Sequence, residues 1–430
     1  MIRWVERGIS GGVLPIPTYF LTRPSVRYFS SSHIPFKQVA GPTTSAGPNT
    51  FLGRDSNNLS VGLVGLANVG KSTIFQILTQ QTQIGNPANY PFATIDAIKS
   101  IINIKSPILD HYQTIFQSEK KIESNLMIWD IAGLTRNASS GEGLGNQFLN
   151  DIRNVDGIMH VLRGFQDEEI IHIENNEVDP IRDLTIVNDE LILKDLEVIE
   201  NNLDRLNKLK KKPVHGHNVN KIELENEFKV FEKLQDLLYD GLKINQVEWD
   251  NPDEITIINK YHFLTAKPTL YLLNVNEHDY KTQTNQYLSD IQHWLTKNSP
   301  HDKLLMISAN YESSLLEQEE LTNSTIVNEI ITSMKSALNL ISFYTCGPKE
   351  CHQWNLRRGN TVQEAAGLIH TDLQKTFISS IVYKWVDLKN LDLFNESLIK
   401  SQGKQYKQGK KYLVEDGDVV IIKAGSGKAR

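Results

Sequence analysis

The run Gly65-Leu66-Ala67-Asn68-Val69-Gly70-Lys71-Ser72 fits G-x-x-x-x-G-K-[ST], a loop that cradles the phosphates of a nucleoside triphosphate. Such a loop gathers backbone N–H groups and the positive end of a helix dipole around one anion. Lys71 adds a point charge for the outer phosphates, and the Ser72 hydroxyl can ligate Mg²⁺. The candidate nucleotide-binding residues here are Asn68, Val69, Gly70, Lys71, Ser72 and Thr73. A second cluster, Asp130-Ile131-Ala132-Gly133, fits D-x-x-G, 58 residues after Ser72. An acid at this place holds Mg²⁺, usually through water, and the glycine N–H can turn toward the γ-phosphate, which makes Gly133 a catalytic candidate. Between the clusters lies Asn89-Tyr90-Pro91-Phe92-Ala93-Thr94, a loop whose threonine can close on the metal. The expected metal ligands are Ser72, Thr94 and Asp130.

The position after Gly133 sets this site apart. Switch GTPases place a glutamine there to orient the attacking water. Here it is Leu134, which neither donates nor accepts a hydrogen bond, and Ser139–Asn146 follows as a glycine-rich loop. Farther on, Asn274-Val275-Asn276-Glu277 stands where GTPases carry N-K-x-D, whose aspartate accepts two guanine N–H bonds. Glutamate is a methylene longer and fits the guanine edge badly. Losing that paired contact weakens guanine preference, because hydrogen-bonded discrimination is the strong kind. Ser308-Ala309 offers a backbone N–H that can reach the base.

Each cluster needs an element to hold it. Leu59–Val64, Asn125–Asp130, Thr269–Leu273 and Lys303–Ile307 are short apolar runs, as buried parallel strands should be. Thr73–Leu78 reads as the helix that opens from the phosphate loop. Residues 188–262 interrupt this α/β pattern. Ile192, Leu196, Ile199, Leu203 and Leu206 form one helical seam, and Leu224, Phe228, Phe231, Leu234 and Leu238 form a second. Together they read as an inserted helical hairpin or short coiled coil, with Lys208, Lys210, Lys211 and Lys212 at its tip. The tip is either a solvated end or a contact for a large partner. His215 and His217 have no further ligands beside them to make a metal site. After residue 340 the pattern changes to short strands and one helix: Leu340–Thr345, Thr361–Ile369, then two strands about an acidic turn in Lys411–Ile422.

Composition bounds the class. The 430 residues are 22% charged and 40% hydrophobic, a globular balance with room for two or three domains. No apolar run approaches the roughly 18 residues a membrane span needs, so no membrane contact is expected. Two cysteines, Cys346 and Cys351, are too few for a disulfide scaffold and lack a second ligand pair at zinc spacing; they read as small core or surface thiols. The first fifty residues carry Arg3, Arg7, Arg23, Arg27 and Lys37 against Glu6 alone, whereas the whole chain is at −6. Arginine-rich, serine-rich and acid-poor composition marks an organelle leader, and Arg27-Tyr28-Phe29-Ser30-Ser31 resembles a mitochondrial processing site. Residues 1–57 are therefore expected to be a transit peptide and flexible leader, with a cytoplasmic extension as the alternative. The acidic remainder argues against general nucleic-acid affinity; any RNA contact must come from local basic patches.

From about Leu59 to Lys423 these residues resemble the Obg-like ATPases, the YchF family of the translation-factor class of P-loop proteins. The most specific stretches are Asn89–Asp96, Asp130–Gln147, Thr265–Glu277, Ser308–Glu312 and Gly347–Asp372. The resemblance implies a Ras-like, mostly parallel α/β G domain over 58–337, with 188–262 as the inserted hairpin. Over 340–424 it implies a ubiquitin-like β-grasp TGS domain, with Gly367–Asp372 as its hallmark and a partner or RNA contact as its role. It implies ATP preferred over GTP through Asn274 and Glu277, and a hydrophobic residue, Leu134, in place of the catalytic glutamine. Ile170-Ile171-His172 matches the segment of the family's proposed catalytic histidine, although a lone histidine in such a run is more often structural. The family usually has proline where Ala67 stands. Asn68 is retained, and in related enzymes this asparagine helps hold K⁺.

The expected function is a Mg²⁺-dependent ATP hydrolase, a monomer, acting as a mitochondrial switch at a ribosome or ribonucleoprotein. The alternatives are a GTP-preferring enzyme and a nucleotide-dependent binding protein with vestigial turnover. A small-molecule kinase has no use for the D-x-x-G segment.

Overall fold

A computed structural model describes residues 51–80, 97–133, 144–167, 177–211, 221–318 and 324–425. Residues 1–50 of the expected leader, Thr94, Leu134, the loop after it, His172, His215 and His217 lie outside the described residues. Residues 51–57 of that leader are instead tied to the fold, Gly53 N donating to Asn259 Oδ1 (2.7 Å) and Asn57 Oδ1 accepting from Arg357 N (2.7 Å). The chain runs β1 (Ser60–Val64), α1 (Lys71–Thr79), β2 (Ile98–Ile104), α2 (Pro107–Phe116), β3 (Lys120–Ile122), β4 (Ser124–Asp130), α3 (Leu144–Asn154) and β5 (Gly157–Arg163). Then come α4 (Pro180–Lys211), α5 (Lys221–Tyr239), α6 (Pro252–Tyr261), β6 (Thr269–Asn274), α7 (Glu277–Thr282), α8 (Leu288–Asn298), β7 (Lys303–Ile307), α9 (Ala309–Glu317) and α10 (Thr325–Ala337). The last part holds β8 (Leu340–Cys346), β9 (Glu350–Arg357), α11 (Val362–Ile369), β10 (Phe377–Tyr383), β11 (Tyr406–Gln408) and β12 (Val419–Ala424), with three short helices between.

The first sheet has the order β2-β4-β1-β5-β6-β7. All neighbours are parallel except β2, which pairs with β4 antiparallel. Every residue of β1, β5 and β6 is buried, the mark of strands covered on both faces. Helix α1 buries Ile74, Phe75, Ile77 and Leu78 against this sheet, each burial contributing roughly 1.5–3 kcal/mol. The phosphate loop follows β1, so ligand groups collect at the carboxyl ends of the strands.

The two helical seams pack on each other as expected: Ile192, Leu196, Ile199, Leu206, Phe231, Leu234 and Leu238 share one core. Helix α4 begins at Pro180, earlier than the pattern suggested, because Asp179 Oδ1 caps the N–H groups of Ile181 and Arg182. Its first turns belong to the nucleotide domain, where Ile186, Val187 and Leu191 join the main core. Farther along, Asp195 is fully buried and accepts bonds from Leu264 N (2.9 Å), Thr265 N (2.8 Å) and Thr265 Oγ1 (2.7 Å), which fastens the hairpin to the segment entering β6.

The second sheet has the order β11-β10-β12-β8-β9-β3. Helix α11 covers one face, with a Thr361–Glu364 capping box at its start. Strand β12 runs parallel to β8, giving a β-grasp arrangement. Two features depart from the sequence reading. Lys411–Val414 is not a strand: Leu413 makes a single bridge to Thr361, and Asp418 Oδ2 draws in Tyr412 Oη (2.6 Å) and Glu415 N (3.0 Å) to form a turn instead. Strand β3, from the nucleotide half of the chain, completes this sheet by pairing parallel with β9. Helix α2 packs beside it, Leu109, Tyr112 and Ile115 sharing a core with Tyr344, Tyr383 and Val419.

One buried group makes stability depend on pH. His160 on β5 is 4% exposed, and its Nε2 has no hydrogen-bond partner. Burial, helped by the charges of Lys243 and Lys71, drives its pKa down to about 3. In the unfolded chain it protonates below about 6.5. The unfolded state thus binds the extra proton between these values, and stability is lost as pH falls through that window. The expected slope from this group is about 1.4 kcal/mol per pH unit. Urea unfolding of the protein and of His160→Leu between about pH 4 and 6.5 checks it: the variant's stability should fall less steeply with acid.

Candidate nucleotide-binding site

Helix α1 starts directly from Gly70, whose φ of 97° is a left-handed conformation that L side chains rarely adopt. A Cβ there would also lie 2.4 Å from Asn274 Nδ2, so glycine is required twice over. Lys71 is 7% exposed, and its Nζ donates to the loop carbonyls of Leu66 (2.7 Å) and Gly65 (3.2 Å). Burial pulls its pKa down to about 8, with Asp130 acting the other way. Beside it, Ser72 Oγ donates to Asp130 Oδ2 at 2.6 Å. Burial raises the Asp130 carboxyl above its usual range, the Ser72 bond and Lys71 opposing. Asp130 Oδ1 is buried and has no hydrogen-bond partner. An all-oxygen set with one unsatisfied carboxylate oxygen suits a hard divalent cation. Ser72 and Asp130 are the residues that could hold such a cation. Thr73, next on α1, is partly exposed.

Gly133 presses on the phosphate loop from the other side: a Cβ there would lie 2.9 Å from Ala67 Cα and 3.0 Å from Ala67 N. Neither residue type nor spacing revealed that contact. It needs the absence of a side chain at 133 and a small residue at 67.

On the base side, Asn274 ends β6 with 3% exposure. Its Nδ2 donates to Val69 O (3.0 Å), and its Oδ1 accepts from Ala309 N (3.0 Å). Ser308 is fully buried and caps α9, its Oγ accepting from Tyr311 N at 3.4 Å. Val275 turns into the core formed by Leu273, Ile291 and Leu295, away from the site. Glu277 stands apart from this buried group. It opens α7, its side chain is 49% exposed, and its Oε1 lies 2.5 Å from Lys281 Nζ.

The structure thus unites Lys71, Ser72 and Asp130 in one cluster, and Val69, Gly70, Asn274 and Ala309 in another, with Gly133 against the loop between them. Asn68, at φ 62°, supplies part of the loop's curvature. Sequence reading passed over Arg163, which ends the apolar strand β5 and is 1% exposed. Its Nε and a terminal nitrogen donate to Phe165 O and Asp167 O, both at 3.2 Å, and its guanidinium lies over the Phe165 ring. This fixes the chain as it leaves β5. An arginine closing an otherwise apolar strand was the available signal.

Two outcomes follow from this geometry. The protonated ammonium of Lys71 is the form that binds triphosphate. Affinity should therefore hold below about pH 8 and fall by up to about tenfold per unit above it. Titration of a fluorescent nucleotide across that range reads this, and Lys71→Ala should bind weakly throughout. Gly133→Ala must push against Ala67, so turnover should drop roughly 100-fold, the scale of losing one positioned donor, while nucleotide affinity changes less. Steady-state kcat set against nucleotide Kd separates the two effects.

Residues 60–201 match a family model described as 50S ribosome-binding GTPase. Residues 340–425 match the YchF-GTPase C-terminal model, described as a protein of unknown function, DUF933. An Obg-like ATPase homolog of Saccharomyces cerevisiae is 48% identical over 404 residues, covering 89% of this chain and 99% of the relative. Obg-like ATPase 1 of the same yeast is 43% identical, covering 88% and 97%. The solved structure of the Schizosaccharomyces pombe YchF GTPase superposes with a TM-score of 0.73 at 38% identity, covering 86% of this chain and 99% of that one. With the phosphate loop, the Asp130 and Asn274 clusters and the second sheet all in place, the chain belongs to the Obg-like ATPase (YchF) family of P-loop nucleotide hydrolases.

Proposed function

We propose that this nucleotide hydrolase takes ATP in preference to GTP, requires Mg²⁺, and works as a switch at a ribosome-associated step in mitochondria. The observation that carries the base preference is the engagement of the groups that would read guanine. The Ala309 N–H, which would meet guanine O6, donates to Asn274 Oδ1. The Asn274 amide is held at both ends by protein. The Glu277 carboxylate, which would meet the guanine N–H pair, is bound by Lys281. A site whose hydrogen-bonding groups are already satisfied gives guanine little advantage.

Within the reaction, Lys71 neutralises the outer phosphates, and the loop N–H groups before α1 orient them. Bound Mg²⁺ would neutralise charge on the β- and γ-phosphates, held by Ser72 and Asp130. The Gly133 N–H is the candidate donor to the γ-phosphate, and losing that contact when phosphate leaves would be the switching event. His172 is the candidate for orienting water, since Leu134 has no polar atom for it. Asn68 supports a K⁺ site beside the phosphates. The ribosomal assignment draws on the description of the family that matches 60–201, and the arginine-rich first fifty residues support the compartment.

Competition of ATP and GTP for one labelled nucleotide, with phosphate release followed in Na⁺ and in K⁺, tests the reading. ATP is expected to compete at roughly tenfold lower concentration, a difference of about 1.4 kcal/mol, and Glu277→Asp should narrow that gap. Equal competition, or tighter GTP, overturns the base preference. Binding without phosphate release in either salt, with ribosomes present, leaves a nucleotide-dependent binding protein instead.

A further inference from the structure

We propose that Cys346 and Cys351 are a thiol-oxidation site: a peroxide converts them reversibly into a disulfide across the β8–β9 hairpin. They are the chain's only cysteines, and both are free. Strands β8 and β9 set them directly opposite each other. The Gly347 N–H donates to Glu350 O at 3.0 Å, closing the turn at Pro348-Lys349. The next pair outward, Cys346 with Cys351, is therefore a non-hydrogen-bonded one, the kind in which facing side chains lie closest. The two Sγ atoms are in contact at 2.7 Å. A disulfide thus needs little backbone movement.

The two thiols differ in access. Cys351 is fully buried, whereas Cys346 is partly exposed. The Cys346 thiolate attacks one peroxide oxygen, the O–O bond breaks, and a sulfenic acid forms as hydroxide or alkoxide leaves, which takes up the proton the thiol released and becomes water or an alcohol. Cys351 sulfur then attacks the sulfenic sulfur. The S–S bond forms, and hydroxide leaves with the thiol proton as water. Two thiols are oxidised by two electrons, and one peroxide is reduced. Burial, with Cys351 alongside, pushes the Cys346 thiol above its ordinary range, so the thiolate is scarce near neutrality and oxidation accelerates as pH rises.

The position gives the bond a consequence. The turn it would close is gripped by the segment after α2: Ser118 Oγ donates to Gly347 O (2.7 Å), Glu119 N to Pro348 O (2.9 Å) and Lys120 N to Lys349 O (3.2 Å). These bonds join the nucleotide half of the chain to the second sheet. Oxidation would stiffen that joint.

The test treats the full chain with graded hydrogen peroxide, then denatures it, alkylates with iodoacetamide and weighs it intact. Before oxidation two alkyl groups are expected. Afterwards none are expected on a monomer lighter by two hydrogens, and dithiothreitol restores both. The oxidation rate should rise roughly tenfold per pH unit. Cys351→Ser should stop at a Cys346 sulfenic acid that dimedone traps. Two alkylatable thiols at peroxide doses that already oxidise methionine, or a loss seen only as disulfide-linked dimers, would overturn the proposal. The wild-type measurement stands even where the variant folds poorly.

Discussion

The side-chain amide of Asn274 is the interaction on which the nucleotide end of the molecule depends. One end holds the phosphate loop through Val69 O, and the other holds the start of α9 through Ala309 N. Its own backbone carbonyl accepts from Gly164 N at 2.7 Å. The segments leaving β1, β5, β6 and β7 thus meet at one residue. A buried amide satisfied at both ends is costly to disturb, because removing either partner strands a polar group away from water. Gly70 is bare because Asn274 Nδ2 occupies the space a Cβ would need. The bend of the phosphate loop and the carboxyl end of β6 are therefore one hydrogen-bonded unit, not two adjacent motifs.

The charges beside that unit follow from the same enclosure. Lys71 and Asp130 are both buried, and each is displaced toward its neutral form by burial while the other pulls it back. Carbonyls of the loop hold the ammonium, and Ser72 holds one oxygen of the carboxylate. These are ionisable groups kept in a poorly solvated place with their bonding capacity partly unused. A polyanion completes the cationic side of such a set, where an apolar ligand would leave it unsatisfied.

Much of this was legible in the sequence, where the determining chemistry is local. The phosphate loop is contiguous, and its strand and helix adjoin it. The two helical seams of the insertion named the residues that pack together, because a period of 3.6 carries that information within one element. The joins between distant segments were not legible. Strand β3 pairs with β9 about 230 positions later, and three residues beside a strong helix carry no signal for that partner. Leu413 looked like strand because its neighbours are apolar or aromatic, yet the Asp418 carboxylate organised them into a turn. The Cys346–Cys351 spacing, with Gly347-Pro348 between, contained a hairpin register that only strand pairing made explicit. The reach of Glu277 toward a base follows from its residue type, whereas its engagement depends on Lys281, one helical turn on.

The long-range joins also bear on how an event at the phosphates can reach the rest of the molecule. Helix α3 follows the segment beyond Gly133, and its last carbonyls do not face solvent alone. Lys267 Nζ donates to Arg153 O at 3.1 Å and also to Val155 O. Lys267 is 8% exposed and sits between the inserted hairpin and β6, two residues from the Thr265 that Asp195 of α4 grips. The C-terminus of α3 and the root of the hairpin are therefore held at one buried joint. Burial lowers the Lys267 pKa to about 8, with the Asp156 and Asp195 carboxylates opposing it. A rotation of α3 must either carry Lys267 with it, and with Lys267 the base of α4, or leave a buried cation short of partners. The second course is costly, so α3 and the base of α4 are coupled by the penalty on breaking this joint.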